Sequence, residues 1–143
     1  MLTALQALLD GAIRVERETA DDAISAPGAY ALILTFCRPL AFTHKGAVHQ
    51  LTPGAYIYAG SAYGPGGLRA RLRRHFRAEK RPHWHIDALT VAADRLSALA
   101  LERGRECAII SRLMDSGAFQ APIPGFGSSD CALCTSHLLR LNQ

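Results

Sequence analysis

Ala55–His85 reads AYIYAGSAYGPGGLRARLRRHFRAEKRPHWH, and the fold is decided by how this stretch is parsed. Its opening, Ala55–Gly60, has the composition of a core strand, with Tyr56 and Tyr58 on one face and Ile57 and Ala59 on the other. Gly60 has no side chain, which lets a backbone or ligand come close. Gly60–Gly67 (GSAYGPGG) is a loop with four glycines and one proline. Leu68, Leu72 and Phe76 then recur at i, i+4 and i+8, the apolar stripe of a helix that Pro82 is expected to end. Arg71 and His75 are four apart, one above the other, on the face adjoining that stripe. A side chain there stands at the rim of the core and can reach into a cleft.

Working outward, residues 3–9 look helical, with Leu5, Leu8 and Leu9 on one side, and Gly11 stops the pattern. Tyr30–Phe36 (YALILTF) is a near-continuous apolar run, as expected of a central buried strand. Leu40–Thr43 and Ala47–Leu51 flank His44-Lys45-Gly46 and read as a short hairpin. His85–Ala92 reads as a short helix, Leu96–Leu101 as a third core strand and Glu106–Met114 as a further helix. Residues 117–130 form a loop rich in Gly, Pro and Ser. Thr135–Leu141 is a strand or a helix. No repeat or linker interrupts the 143 residues, a length that fits one domain with one core. The expectation is a single α/β domain over residues 1–143, with a core at about 25–141 and a helical N-terminal extension, 1–24. Three core strands carry helices packed on them.

The formal charge is only +4, yet seven Lys/Arg residues fall between Arg69 and Arg81. Fourteen of the sixteen basic residues are arginine, whose fork meets phosphate oxygens with two parallel hydrogen bonds. A GC-rich genome accounts equally for the total, but not for the clustering. An isolated arginine run is more often a solvated helix face, and a single buried tyrosine more often core than catalyst. Their proximity here is what points to phosphodiester chemistry. No segment reaches the roughly 20 apolar residues of a membrane span. The N-terminus lacks the positive region and small-residue cleavage site of a signal peptide, so a cytoplasmic location with reduced cysteines is expected.

Gly28-Ala29-Tyr30, Tyr58-Ala59-Gly60, Arg71 and His75 together resemble the signature of the GIY-YIG nucleases. Pro53–Ala62, Gly64–Leu68, Arg74-His75, His83–Asp87, Glu106-Cys107 and Gly125–Cys131 sharpen the match. They resemble a branch of small stand-alone proteins whose domain also occurs fused to endonuclease III. The resemblance covers roughly residues 25 to 141. It implies a small mixed, largely antiparallel three-stranded central sheet flanked by helices, here with an extra hairpin. The implied activity is hydrolysis of nucleic-acid phosphodiesters with Mg²⁺ (or Mn²⁺), as an endonuclease acting in DNA repair.

Carried over by position, Tyr30 positions or deprotonates the attacking water, and Tyr58 supports that network and the scissile phosphate. Arg71 stabilises charge on the phosphoryl oxygens, His75 assists proton transfer or holds a tyrosine hydroxyl, and Glu106 binds the metal. Many members of the family carry an asparagine near the C-terminus. Here the only one is Asn142, and Asp130, Ser136 or His137 are the alternatives.

Ser61, Gly66 and Gly67 in the loop, Arg69, Arg73, Arg74, Arg77 and Lys80 along the basic run, and His83 and His85 beyond it are the candidate nucleic-acid contacts. Backbone contacts of this kind give salt-sensitive affinity without sequence specificity. The expected partners are nucleic acid, DNA above RNA, and a DNA-repair enzyme; a membrane is not among them. Two rivals stand beside the nuclease. One is a nucleic-acid-binding module without catalysis. The other is an interaction domain stabilised by structural Zn²⁺ on Cys131, Cys134 and His137, with His83 or His85 as fourth ligand. A plain reduced cysteine pair or a redox pair fits the same spacing.

Overall fold

A computed structural model describes residues 2–127 and 134–143. Helix α1 spans Leu2–Leu8, strand β1 Ile13–Val15 and a short 3-10 helix Arg17–Asp22. Strands β2 (Gly28–Phe36), β3 (Leu40–His44), β4 (Ala47–Leu51) and β5 (Gly54–Ser61) follow. Then come α2 (Gly67–Phe76), α3 (Ile86–Ala92), β6 (Arg95–Glu102), α4 (Glu106–Asp115), β7 (Phe119–Gln120) and β8 (Leu138–Leu141).

The main sheet has six strands, in the order β1-β6-β2-β5-β8-β7, rather than the three expected. The core trio β6-β2-β5 is the expected one, and every pairing among the described residues is antiparallel. The additional strands β1, β7 and β8 have two to four residues. Segments so short show no period to read, and they exist because longer strands offer them an edge. The N-terminal extension is therefore not helical alone, since β1 pairs with β6, Ile13 opposite Ala100. The segment after residue 134 is resolved as a strand, β8, against β5.

Both faces of the sheet are covered. Tyr30, Leu32, Leu34 and Phe36 alternate with Ala29, Ala31 and Ile33 along β2. The first set packs with Leu68, Leu72 and Phe76 of α2 and Ile86 and Leu89 of α3. The second packs with Leu5 of α1, with Leu9 just beyond it, and with Ile109, Ile110 and Leu113 of α4. This explains the uninterrupted apolar run in β2, which has a strand on each edge and helices on each face. Each fully buried side chain of this size contributes roughly 2 kcal/mol relative to exposure.

The hairpin β3-β4 forms as expected, with Lys45 and Gly46 both at positive φ (50° and 79°), the two-residue turn that suits strand twist. The helix α2 ends at Phe76, well before Pro82. Its last carbonyls are capped by the chain folding back: Lys80 Nζ donates to the carbonyls of His75 (2.7 Å) and Arg74 (3.3 Å). Lys80 thus lies off the helix on which the sequence pattern placed it.

Candidate functional site

Tyr30 and Gly60 stand opposite each other on β2 and β5. A Cβ on Gly60 would lie 2.3 Å from the Tyr30 hydroxyl, so the group that approaches this glycine is the phenol itself. The ring is thereby laid flat across β5 toward α2. There its hydroxyl meets His75 Nε2 at 2.7 Å, with Tyr30 2% and His75 1% exposed. His75 Nδ1 has no hydrogen-bond partner.

Tyr58 is the diagonal neighbour of Tyr30 on the same face, opposite Leu32, and is only partly buried. Arg71, one turn before His75, is half-buried, with its guanidinium 4.5 Å over the Trp84 ring. Arg74 covers the same indole at 4.1 Å, so Trp84 sits against two guanidiniums, an attractive arrangement for each. Glu106 opens α4, where the helix dipole favours a carboxylate, and its side chain is 32% exposed.

These groups feel one another. Burial, then the neighbouring Tyr58, pushes the Tyr30 phenol well above its ordinary range, and Arg71 pulls against this by charge and hydrogen bonding. Burial and the Glu106 carboxylate push Tyr58 up to about 12, again with Arg71 opposing. Burial and the Lys80 ammonium lower His75 to about 3. At neutral pH both phenols therefore keep their protons and the imidazole is neutral. Five side chains from four elements, β2, β5, α2 and α4, meet in one electrostatic neighbourhood. Tyr30 and His75 stand behind; Tyr58, Arg71 and Glu106 face outward. A single solvent-open carboxylate suits a hard divalent cation that keeps most of its waters.

The remaining candidates divide. Arg74 makes a two-pronged ion pair with Asp87 (2.8 and 2.9 Å). Asp87 is 1% exposed and also accepts the main-chain N–H groups of His83 and Trp84. Burial opposes its ionisation, but these donors outweigh it and hold the carboxyl well below the usual range. Arg69 is tied by Nε to the Ala23 carbonyl at 2.7 Å, and Lys80 caps α2. Burial and nearby arginines hold the Lys80 amine down near 8. Arg74, Arg69 and Lys80 are thus part of the scaffold. Arg77 and His83 are exposed, as is Arg73, whose pair with Asp21 at 2.8 Å is open to solvent. His85 is exposed and rests 4.5 Å from the His44 ring of the hairpin.

Ser61 ends β5, half-buried. Gly66 has φ +82° as the N-cap of α2. At Gly67 the φ is +59°, and a Cβ would collide with the Ser25 carbonyl at 2.0 Å. The N–H groups of Gly67, Leu68 and Arg69 are already bonded, to Gly64, Ala26 and Ile24. Gly67 therefore serves close packing of α2 on residues 24–26, a Cβ on Gly66 would meet Ala70 in the helix itself, and the bonded amides are not available as a phosphate cradle.

Among the alternatives for the C-terminal asparagine, Ser136 is buried in bonds to the Phe126 and Leu138 carbonyls. Asn142 binds the Gly117 carbonyl at the sheet edge. His137 lies 3.6 Å by Nδ1 from Glu106. Asp130 and Cys131 lie outside the described residues. Cys134 and His137 lie near one another, and the third member beside them is Cys107, whose distance in sequence gave no hint of it. Trp84 and Asp87 were likewise without a role in the sequence. The one available clue was an acidic residue in the first turn of a helix, just after two histidines.

The chain belongs to the family of the domain of unknown function DUF123, whose sequence profile matches residues 29–143. Neither a curated protein nor a solved structure matches it.

Proposed function

We propose that this chain is a divalent-metal-dependent endonuclease of the GIY-YIG type. It would hydrolyse phosphodiesters of nucleic acid, DNA above RNA, and be directed by structure more than by sequence. On this reading the trio β6-β2-β5 is the nuclease core, enlarged by β1, β7 and β8. The carrying observation is the neighbourhood of Tyr30, Tyr58, Arg71, His75 and Glu106, with the Tyr30–His75 hydrogen bond of 2.7 Å at its base.

Phosphoryl transfer depends on charge neutralisation and orientation more than on a strong nucleophile. Arg71 carries a fixed positive charge, held by Trp84, at the mouth of the site. It supplies charge to phosphoryl oxygens. The Tyr58 hydroxyl, protonated at neutral pH, donates to a phosphate oxygen or orients a water. Tyr30, backed by neutral His75, fixes this arrangement from below rather than acting as a free base. Mg²⁺ or Mn²⁺ on Glu106 would neutralise phosphate charge and lower the pKa of a bound water. The exposed Arg73, Arg77, His83 and His85 are the nearby groups left to touch the phosphate backbone, and a DNA-repair enzyme is the partner proposed for it.

A binding module without catalysis is favoured by one observation: both phenols hold their protons and His75 is neutral, which leaves no side-chain base among these five except Glu106. The assay that separates the two is cleavage of single-stranded, duplex, flap and branched DNA, and of RNA, in Mg²⁺, Mn²⁺ or EDTA. The nuclease reading expects metal-dependent cutting that falls about 10²- to 10³-fold in Arg71→Ala and disappears in Glu106→Ala. Binding that persists in EDTA, with no substrate cut in metal, replaces it with the binding module.

A further inference from the structure

We propose that Cys107, Cys134 and His137 form a second, soft metal site, taking Zn²⁺, which ties the C-terminal segment to the start of α4. One ligand atom from each residue lies within 4.8 Å of the others. In a tetrahedral zinc site two sulfurs, each about 2.3 Å from the metal, stand about 3.8 Å apart. The three side chains therefore need only a small inward movement to close on an ion. They come from distant parts of the chain, Cys107 from the first turn of α4 and the other two from the approach to β8.

The imidazole is the second, independent observation. His137 is 2% exposed, and neither of its ring nitrogens has a hydrogen-bond partner. A buried polar atom left unpaired is destabilising, and coordination removes that cost for the nitrogen that binds the ion. Its backbone is held on both sides: the N–H donates to the Phe126 carbonyl at 2.8 Å, and the carbonyl accepts from Ala59 at 2.9 Å. The main chain beneath the ring is thus held by β5 and the loop before β8. Glu106 Oε2 lies 3.6 Å from Nδ1, too far for a hydrogen bond, but a small shift would let it orient the ring as outer-shell carboxylates orient zinc-bound histidines.

Two thiolates and an imidazole select zinc over the hard cations that suit Glu106 alone. A cavity of about 360 Å³ bordered by Cys107, Ile110, Ser111, Cys134, Ser136 and Leu139 opens on the thiol side of the cluster. An ion here would fix the α4 N-terminus, and so the place of Glu106, against β5 and β8.

The test is metal content of the full chain, purified reduced from zinc-supplemented cells and dialysed against a mild chelator. The wild type should retain about one zinc per chain, and cobalt in its place should show thiolate-to-metal charge-transfer absorption. Cys107→Ser, Cys134→Ser and His137→Gln should each lower retention at least about tenfold. Cys37→Ala, which is exposed elsewhere, should retain it fully. Loss of a ligand can unfold the chain, so circular dichroism is read alongside, and the cobalt spectrum of the wild type reports thiolate ligation without any variant. Wild-type protein without retained metal, or retention unchanged in all three ligand variants, overturns the proposal. No nucleic acid enters the measurement, so its failure leaves the nuclease reading where it was.

Discussion

His75 and His137 are buried almost equally, 1% and 2% exposed, and each has a ring nitrogen without a partner, yet they sit in opposite surroundings. Around His75 are cations, with Lys80, Arg71 and Arg74 all acting to keep the ring neutral. Around His137 are two thiols and the Glu106 carboxylate. On the two proposals above, the first environment would receive an anion such as phosphate and the second a cation. Burial alone does not tell a histidine's role; the sign and softness of what faces it does.

The largest effect should come from breaking the frame of the cationic side. Asp87→Ala leaves Arg74 without its carboxylate and two main-chain N–H groups without an acceptor. Urea denaturation should show a loss of about 3 kcal/mol or more. A stability unchanged from wild type would mean that the frame around Trp84 stands without this clamp.

An acid titration of stability sharpens the contrast further. His75 has a folded value of about 3, below its ordinary 6.5, so between these the unfolded chain binds the extra proton. Stability should therefore fall as pH drops from about 6.5 toward 3, and His75→Gln should flatten that part of the curve. The groups facing this ring are Tyr30, Trp84, Lys80, Arg71, Arg74 and Asp87. Asp87 acts separately. Its carboxyl is held down in the fold, so its contribution is complete above the ordinary carboxylate range and is lost only further into acid. A wild-type curve flat between pH 6.5 and 4 would break the assignment of His75 as a buried neutral ring. Metal content of the His75→Gln protein should equal that of wild type.

The smallest effect belongs to Arg73→Ala. Its pair with Asp21 is open to solvent, so stability should move by less than about 0.5 kcal/mol. If Arg73 touches phosphate, the dependence of binding on salt should lose about one unit of slope. An unchanged slope would narrow the contact surface to Arg71, Arg77 and the histidines.

Much of the frame was legible. The apolar run of β2, the Tyr56/Tyr58 alternation of β5, the Lys45-Gly46 turn and the Leu68/Leu72/Phe76 stripe each carry a local pattern that tertiary packing reinforced. Tyr30 and His75, 45 residues apart, were paired by resemblance and meet in a hydrogen bond. The strands β1 and β7 were not legible, because they borrow their conformation from an edge. The end of α2 was misjudged because Lys80, which the basic pattern made a helix residue, caps the helix from outside. The basic run looked uniform, yet a charge count cannot distinguish Arg74, clamped by a buried carboxylate, from Arg73 in solvent.

The sequence by itself determined the α/β character, the core strands and the helix stripe, along with the residue types available for phosphate or metal. These follow from short-range periodicity and composition, which act within a few residues. Only the tertiary structure decided which arginines are scaffold, which face Tyr30 presents to α2, and that Cys107 joins Cys134 and His137. Such facts depend on contacts between residues tens of positions apart. There the packing of whole elements, and the cost of leaving buried polar groups unpaired, select the partners.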